Sequence, residues 1–449
     1  MKKQILFFEI IPSYIIVLMP ALLITGPFLS DLGVSIVAIL FLINSKKNDL
    51  LKYYNNIYFK IFIIFWIILI ISSLLSNNIL ISLKNSFFYF RFGIFSLCFW
   101  YLLEKNEKIL HYLFYSIIIC FLSLIIDGYI QYFFKENLFG IELHGGNRVS
   151  SFFGSELILG SYLARFFPIL FGLFVFIDHK LKIKNKKLLV ILTLTFVLSE
   201  GLIVLSGERV ALFFMNLSAI FIILMINDYK KYRFWTYVGS LFLIFGLIFF
   251  FPKTQDRIIK QTIDGFTSIN SKNVDTNNVK EFYIFTKTHN DMYVAGLQVF
   301  NNNKFFGVGP RQYRNTCKDY DESVKIKIEE SLRYPLDKRD YLLAELSCQT
   351  HPHNTYIELL SETGIFGFTL VFGIFLLIIF FSMMQFFNNI FNKKKKYFND
   401  FELCLLSAMI ISLWPLIPTG SFFNNWMSIV YYFPIGMFLW SRNSSNKSN

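Results

Sequence analysis

The sequence predicts an all-α polytopic membrane protein with about twelve transmembrane helices and one large, partly helical loop between helices 9 and 10. Of its 449 residues, 55% are hydrophobic and only 16% are charged, whereas soluble domains carry ~25% charged residues. The apolar residues form long blocks, such as 57–75 and 366–387, which approach the ~20 residues that cross a bilayer. A single long polar segment, 252–354, interrupts these blocks and is too long for a simple connection.

Twelve apolar segments, read in chain order, give the predicted spans. They lie at about 8–26, 29–44, 57–76, 85–103, 109–133, 157–178, 188–206, 208–227, 235–251, 364–387, 401–418 and 425–441. The first resembles a signal peptide, but it contains Glu9 and Pro12 and more spans follow, so we interpret it as an uncleaved helix. Three regions result: helices 1–9 in 1–251, the large loop in 252–354, and helices 10–12 in 355–449.

The positive charges in short loops predict the orientation. The formal net charge is +13, and its position in these loops indicates membrane topology rather than nucleic-acid binding. If the N-terminus is inside, every inner loop is rich in cations. These cations are Lys46, Lys47, Lys52, Lys105, Lys108, Lys180, Lys182, Lys184, Lys186, Lys187, Lys230, Lys231, Arg233 and Lys393 to Lys396. The other short loops hold only Lys84, Lys135, Arg148 and Arg209. We therefore expect both termini in the cytoplasm and the large loop outside.

Five polar features are expected to meet on the outer side. They are Arg148 in Gly146-Asn147-Arg148-Val149-Ser150, the turn Ser206-Gly207-Glu208-Arg209, His289, the element Gly307-Val308-Gly309-Pro310-Arg311-Gln312-Tyr313-Arg314, and the motif His351-Pro352-His353-Asn354-Thr355-Tyr356. Two further cations, Arg91 and Arg165, lie in the outer thirds of predicted spans. Intramembrane charge suggests function, although long side chains can also extend to the interface.

Each feature also has a structural interpretation. Arg148 and Arg209 could anchor the interface, the glycines could shape a turn, and the histidines could cap the next span. Zinc would need a third or fourth ligand, and none has convincing spacing, so we expect no metal. Together, however, guanidinium groups at a membrane surface suit a lipid-linked phosphate or diphosphate. A neutral histidine beside them can take a proton from a hydroxyl group.

The same residues resemble the O-antigen ligase/polymerase superfamily. The family signature is His-(Asn/Ser/Gln) followed by nine residues and then Gly-x-x-Gly. The chain has a similar pattern in His353-Asn354, Gly364 and Gly367. The segments Arg148-Val149-Ser150 with Phe153-Gly154, Gly160-Ser161-Tyr162-Leu163, Ser206-Gly207-Glu208-Arg209 and Phe306-Gly307-Val308-Gly309-Pro310 also resemble family elements. The likeness covers roughly 145–370 in order. The His-Asn signature is fairly specific, and each of the other segments alone is weak.

The resemblance implies a metal-independent, multi-span glycosyltransferase without a cofactor. Its donor would be a glycan on undecaprenyl diphosphate at the periplasmic face of the inner membrane. Arg209 matches the family's first essential arginine and His353 its essential histidine. The second arginine falls at His289, a departure that puts the role of position 289 in doubt, and neither Arg311 nor Arg314 matches it.

The resemblance suggests a mechanism. Arg209, with Arg148 and His289, would hold the diphosphate, and His353 would orient or deprotonate the acceptor hydroxyl, with inversion at the anomeric carbon. We also count Arg311, Arg314, Asn354, Tyr356 and Arg91 among the candidate substrate-binding residues.

Several functions stay open. A ligase would transfer the glycan to lipid A–core, and a polymerase would extend the lipid-linked glycan. The complete signature favours the ligase. A transporter is a remote alternative, because its polar residues should lie near the bilayer midplane, and a structural partner of cell-wall assembly is another.

The cysteines add one further expectation. Cys98, Cys120 and Cys404 lie in apolar blocks, whereas Cys317 and Cys348 lie in the large loop. An outward-facing loop meets an oxidising compartment. We therefore predict a Cys317–Cys348 disulfide, which would tie the Gly-Val-Gly element to the histidine motif.

Overall fold

The computed structural model describes residues 6–45, 50–181, 186–268, 281–282, 285–320, 348–391 and 396–447. Some sequence features named above lie outside these residues. They are Lys46, Lys47, Lys182, Lys184, Lys393 to Lys395 and the loop segments 269–280, 283–284 and 321–347.

The described residues form long helices joined by short connections. In chain order they are α1 (Ile11–Ile24), α2 (Pro27–Ser45), α3 (Ile57–Leu74), α4 (Ile79–Lys105), α5 (Ile109–Phe134), α6 (Leu159–Leu181), α7 (Lys186–Ser206), α8 (Arg209–Met225), α9 (Lys230–Phe250), α10 (Lys287–Asn302), α11 (Tyr313–Tyr320), α12 (Thr355–Ile390), α13 (Asp400–Ser412) and α14 (Asn425–Lys447). A π-helical turn, Leu6–Ile10, precedes α1.

Smaller elements complete the chain. They are the helices Leu51–Tyr54, Pro252–Gln255 and Gln261–Phe266, a 3-10 turn at Ser151–Phe153, a π-helical turn at Asp256–Lys260, and the paired two-residue strands β1 (Thr267–Ser268) and β2 (Glu281–Phe282).

The predicted all-α polytopic class is confirmed, but the count of twelve spans is not. Within the described residues, nine helices are long and apolar enough to cross a membrane, namely α1 with its preceding turn, α2 to α7, α9 and α12. The helix α8 is apolar but has only 17 residues, and α13 has 13. Pro415 follows α13 closely, and proline cannot continue a helix.

Side-chain exposure fits a bundle immersed in lipid. The helix α4 is continuously buried from Phe92 to Leu103 and packs along α14, while α6 packs along α8 and α13. By contrast, Phe242 and Phe250 of α9 are 73% and 75% exposed. A helix that is apolar on all sides is stable there only if lipid or protein covers it.

The Gly-Val-Gly element pairs with α12 through backbone hydrogen bonds. Val308 N–H donates to the Ser361 carbonyl at 3.0 Å, and Gly309 N–H donates to the Glu362 carbonyl at 2.9 Å. The helix α12 is kinked where this pairing ends, because Gly364 has φ 65° and ψ −164°. A Cβ atom on Gly364 would lie 2.2 Å from the Phe305 carbonyl oxygen. The signature glycine at 364 thus allows two backbones to touch.

Two side chains reinforce this junction. The buried carboxylate of Glu362 accepts Arg311 N–H at 2.6 Å and Tyr313 N–H at 2.9 Å. Ser72 of α3 donates to the Phe306 and Glu362 carbonyl oxygens. The loop is therefore fixed to the bundle at the start of α12.

Two predictions for the large loop are confirmed. Met292, Ala295 and Val299 form the buried side of α10, as their helical spacing indicates. Cys317 of α11 and Cys348 form a disulfide with their Cα atoms 5.7 Å apart, while the other three cysteines are buried and free.

We expect Gly364→Ala to lower the free energy of unfolding by ~3 kcal/mol or more, because a residue with a Cβ is strained at this φ and ψ and would overlap Phe305. Thermal unfolding in detergent, followed by size-exclusion chromatography, measures the effect. Gly373→Ala is the matched control, because Gly373 lies in the same helix and nothing approaches its Cβ position within 4 Å. Equal melting temperatures for the two variants would contradict this account of the kink.

Candidate active site

The histidine motif leads into α12. His353 has φ +51°, a left-handed conformation that is strained for residues other than glycine. Its carbonyl oxygen accepts Thr419 N–H at 2.9 Å. The next residue, Asn354, caps α12 by accepting the N–H groups of Tyr356 and Ile357 at 3.0 and 3.2 Å. The helix cap and the Thr419 contact together hold the His353 side chain in a fixed place.

Three imidazole rings lie close together at this point. The His353 ring is 4.1 Å from the His351 ring and 6.0 Å from the His289 ring, between centroids. His351 Nε2 lies 3.3 Å from the Thr419 carbonyl oxygen, and His353 Nε2 lies 3.3 Å from Gln349 Oε1. Burial lowers the pKa of His353, and burial with repulsion from His353 lowers the pKa of His351 to about 3. All three rings are therefore predominantly neutral near pH 7.

His289 occupies the first turn of α10. Thr286 caps this helix and contacts His289 Nδ1 at 2.7 Å. Burial, followed by repulsion from His353 and Arg209, lowers the pKa of His289 to about 4. The residue at the position of the family's second arginine therefore carries no positive charge at neutral pH.

The turn between α7 and α8 fixes Arg209 as the first residue of α8. Gly207 has φ +68°, which glycine adopts without strain. The Glu208 carboxylate accepts Gly160 N–H at 2.7 Å and Ser161 N–H at 3.0 Å, so it caps the start of α6. The Arg209 guanidinium donates to Thr262 Oγ1 at 2.9 Å.

Arg148 reaches the same turn from the loop after α5. Its Nε donates to the Ser206 carbonyl oxygen at 3.0 Å. Two buried residues of α5 hold this loop. Gln131 Oε1 accepts Ser150 N–H at 2.9 Å, and Asp127 accepts the Ser151 hydroxyl at 2.6 Å. These contacts attach the loop that carries Arg148 to the bundle.

The structure brings four predicted residues to one end of the bundle. Arg209 lies close enough to His289 for its charge to lower the pKa of that ring, and His289 contacts His353. Arg148 in turn experiences repulsion from Arg209. A cationic region and an imidazole cluster therefore adjoin each other, although their residues come from four distant parts of the chain.

Other predicted residues have structural partners. Arg311 has φ +62° and donates to the Phe423 carbonyl oxygen at 3.0 Å, and Arg314 is exposed on α11. The Tyr356 hydroxyl donates to the Leu413 carbonyl oxygen at 2.7 Å. These contacts give Arg311 and Tyr356 roles in holding the loops around the histidines.

The structure places the two intramembrane arginines differently within their helices, since Arg91 lies near the middle of α4 and Arg165 in the first third of α6. The helix α4 begins at Ile79 rather than near 85, so Arg91 lies near the middle of the helix, where it pairs with Asp31 of α2. Arg165 is 3% exposed, donates to Ser161 and lies over the Phe214 ring, 4.9 Å from its centroid. The predicted outer-third position was wrong for Arg91, because residues 79–84 also belong to the helix.

Sequence reasoning missed Arg257. It lies in the π-helical turn Asp256–Lys260 that follows α9. A Cβ atom on Gly207 would lie 3.0 Å from Arg257 Cγ, so Arg257 packs directly on the turn that carries Arg209. The only signal in the sequence is its position just beyond a span, and no motif includes it.

A possible metal site lies elsewhere. In the part of the chain that the structure describes, one group has ligand atoms close enough to hold a metal ion, and it consists of His179, Asp228 and Asp400. His179 lies in the last turn of α6, Asp228 follows α8 and Asp400 begins α13, at the end of the bundle opposite Arg209. The histidine cluster at the candidate site does not have this spacing.

Comparison with known proteins places the site within a family. Residues 194–372 match the family model described as O-antigen ligase. The match includes Arg209, Arg257, His289, His353 and Gly364. No curated protein matches the chain. This match supports an O-antigen ligase-like domain at residues 194–372 of the chain.

Proposed function

We propose that the protein transfers a glycan from undecaprenyl diphosphate to a lipid A–core acceptor at the periplasmic face of the inner membrane. The observation that carries this proposal is the meeting of the Arg209 turn with the imidazoles of His289 and His353. The family match supports a glycosyltransferase of O-antigen biosynthesis, and the site contains the two kinds of group that such a transfer needs.

The distribution of cations between the two ends of the bundle supports the proposed membrane orientation. Arg209 and Arg148 lie where α7 ends and α8 begins, whereas Lys186, Lys187 and Lys230 lie at the opposite ends of α7 and α9. A cytoplasmic location for these lysines agrees with the positive-inside rule. With these lysines in the cytoplasm, the proposed orientation has the site and the large loop in the periplasm and both termini in the cytoplasm.

The arginines bind the leaving group. A guanidinium offers planar, paired donors that match the oxygens of a phosphate. In a site partly shielded from water these charges stabilise the negative charge that develops on the diphosphate in the transition state. Arg209 and Arg148 have this role in the proposed mechanism.

His353 acts on the acceptor. The hydroxyl oxygen attacks the anomeric carbon, its proton passes to a free ring nitrogen of His353, and the bond from the anomeric carbon to the diphosphate oxygen breaks. Undecaprenyl diphosphate leaves, with inversion at the anomeric carbon. Because burial keeps His353 neutral, a proton acceptor is present at physiological pH. The mechanism uses no metal or cofactor.

A polymerase would use the same site. The groups that bind the diphosphate and accept the proton are unchanged, and only the acceptor differs, since the acceptor of a polymerase is a second lipid-linked repeat unit. We favour the ligase because the chain has the complete signature from His353 to Gly367. A transporter is disfavoured because the clustered polar groups lie at one end of the bundle.

We expect His353→Ala and Arg209→Ala to reduce transfer from a purified lipid-linked glycan by about 10²- to 10⁴-fold, as loss of a general base or an oxyanion ligand does. Arg209→Lys should remain strongly impaired, because an ammonium group lacks the planar fork. His111→Ala is the control, since His111 lies in the first turn of α5, at the far end from Gln131. Full activity in His353→Ala would disprove the assignment.

The rate should depend on pH in one direction. Since the pKa of His353 lies below the ordinary value of ~6.5, kcat/KM should be constant from about pH 7 to 8. It should fall only as the pH drops below that ordinary value and His353 becomes protonated. Initial rates across this range measure the effect, and an acid limb centred above pH 7 would contradict the role of a buried neutral base.

A deletion strain distinguishes ligase from polymerase. Loss of a ligase should leave bare lipid A–core on a lipopolysaccharide gel while lipid-linked polymer accumulates. Complementation with His353→Ala should not restore the ladder, whereas His111→Ala should. A core capped with a single repeat unit would show instead that the protein is the polymerase.

A further inference from the structure

A basic cavity adjoins the turn that carries Arg209. Its volume is about 600 Å³, roughly forty to sixty times the ~10–15 Å³ that one water molecule needs. It lies between the loop after α5 and the segment after α9, and four cations line it, namely Lys135, Arg148, Lys253 and Arg257. The one acid in its lining, Asp256, is already occupied, because it accepts Gln261 Nε2 at 2.9 Å and pairs with Lys260 at 3.6 Å.

Three guanidinium groups meet beside this cavity. A Cβ atom on Gly207 would lie 3.4 Å from Arg257 Nε and 3.7 Å from Arg148 Nε. Burial, followed by repulsion from Arg257, lowers the pKa of both Arg148 and Arg209. Partly buried cations repel one another, and a bound anion would offset this repulsion.

The hydrogen bonds of these groups leave most donors free. Each guanidinium has five N–H donors. Among the described residues, Arg148 donates to Ser206, Arg209 to Thr262, and Arg257 to Gln261 Oε1 at 2.6 Å. Arg257 Nε is buried and has no hydrogen-bond partner among the residues that the structure describes. An unpaired buried donor of this kind is costly in a folded protein unless a ligand accepts its hydrogen bond.

The nearest acid does not neutralise the cluster. Glu208 attracts Arg148, but both of its oxygens accept backbone N–H groups of α6. Burial raises the pKa of Glu208 to about 7, so its carboxyl group is only partly ionised near neutral pH. The three arginines therefore keep a large net positive charge.

We propose that Arg257 is a third arginine of the diphosphate site, beside Arg148 and Arg209, and carries the charge that His289 does not. This inference rests on the proposed function for the identity of the ligand, a lipid-linked diphosphate. Arg148, Arg209 and Arg257, which surround the Gly207 turn, donate hydrogen bonds to its phosphate oxygens. The cavity accommodates the groups that are attached to the phosphates. Gln261 is a positioning residue, since its Oε1 orients the Arg257 guanidinium.

Binding to the full-length protein in detergent tests the proposal. The probes are inorganic pyrophosphate and farnesyl diphosphate, measured by isothermal titration calorimetry. We expect Arg257→Gln to weaken binding at least tenfold and Arg257→Lys to weaken it less. The matched control is Lys260→Gln, which removes a cation from the same turn, where its side chain is 72% exposed, and should bind like the unmodified protein. Melting temperature and elution volume show whether each variant is folded.

A compensating variant separates ligand binding from structural support. The double variant Arg257→Gln with His289→Arg restores a guanidinium at the position where the family has its second arginine. It should recover most of the lost affinity, which a purely structural role of Arg257 would not allow. Unchanged affinity in Arg257→Gln, no recovery in the double variant, or no binding of either probe to the unmodified protein would overturn the proposal.

Failure of the Arg257 assignment can be distinguished from failure of the proposed function, because the binding experiment does not require glycan transfer. If Arg257→Gln loses pyrophosphate binding but the unmodified protein transfers no glycan, the proposed function fails and the anion site stands. If transfer proceeds with unchanged KM in Arg257→Gln, the assignment of Arg257 fails and the proposed function stands.

Discussion

The backbone pairing between the Gly-Val-Gly element and α12 organises the site. Val308 and Gly309 donate to carbonyl groups of the first turns of α12, and Ile365 N–H returns a bond to Lys304. This pairing exists only because α12 breaks its helical geometry at Gly364. It joins a polar loop to a membrane helix at the residues that follow His353. The position of the imidazole therefore depends on contacts eight to twelve residues further along the chain.

A second set of contacts holds the arginines independently. Asp127 and Gln131 of α5 fix the loop of Arg148, and Glu208 joins the Arg209 turn to α6. Gln131 and Glu208 satisfy backbone N–H groups and Asp127 accepts the Ser151 hydroxyl, so buried polar groups are paired and the loops are held in place. The imidazoles and the guanidinium groups thus stand on separate supports, and a substrate that binds both would connect them.

Much of the fold could be predicted from the sequence because lipid imposes simple rules. Long apolar blocks become helices, and their order is visible in the chain. The residues at which the helices begin and end were less predictable. The helix α4 begins six residues early because Asn78 to Lys84 offers no strong stop signal, and α13 ends early before Pro415. Whether shorter helices such as α8 cross the bilayer depends on tilt and packing, which composition does not encode.

The site was predictable only where residues lie in a motif. The His353 and Arg209 segments have recognisable neighbours, and their glycines proved to be contact points with positive φ or close backbone approach. Arg257 has no such neighbours, and its role depends on packing against Gly207, a long-range contact that one sequence does not reveal. The burial that keeps His289 and His353 neutral likewise arises from tertiary structure.

The Cys317–Cys348 disulfide has a consequence for how this protein can change. It brings the two ends of a 31-residue separation to a Cα distance of 5.7 Å, and it stands between the Gly-Val-Gly element and the histidines. The two cysteines stay side by side whatever the length of the chain that joins them, so the bond fixes the distance between α11 and the residue three positions before His351. A reducing agent would remove this covalent restraint on the segment that leads into the histidine motif.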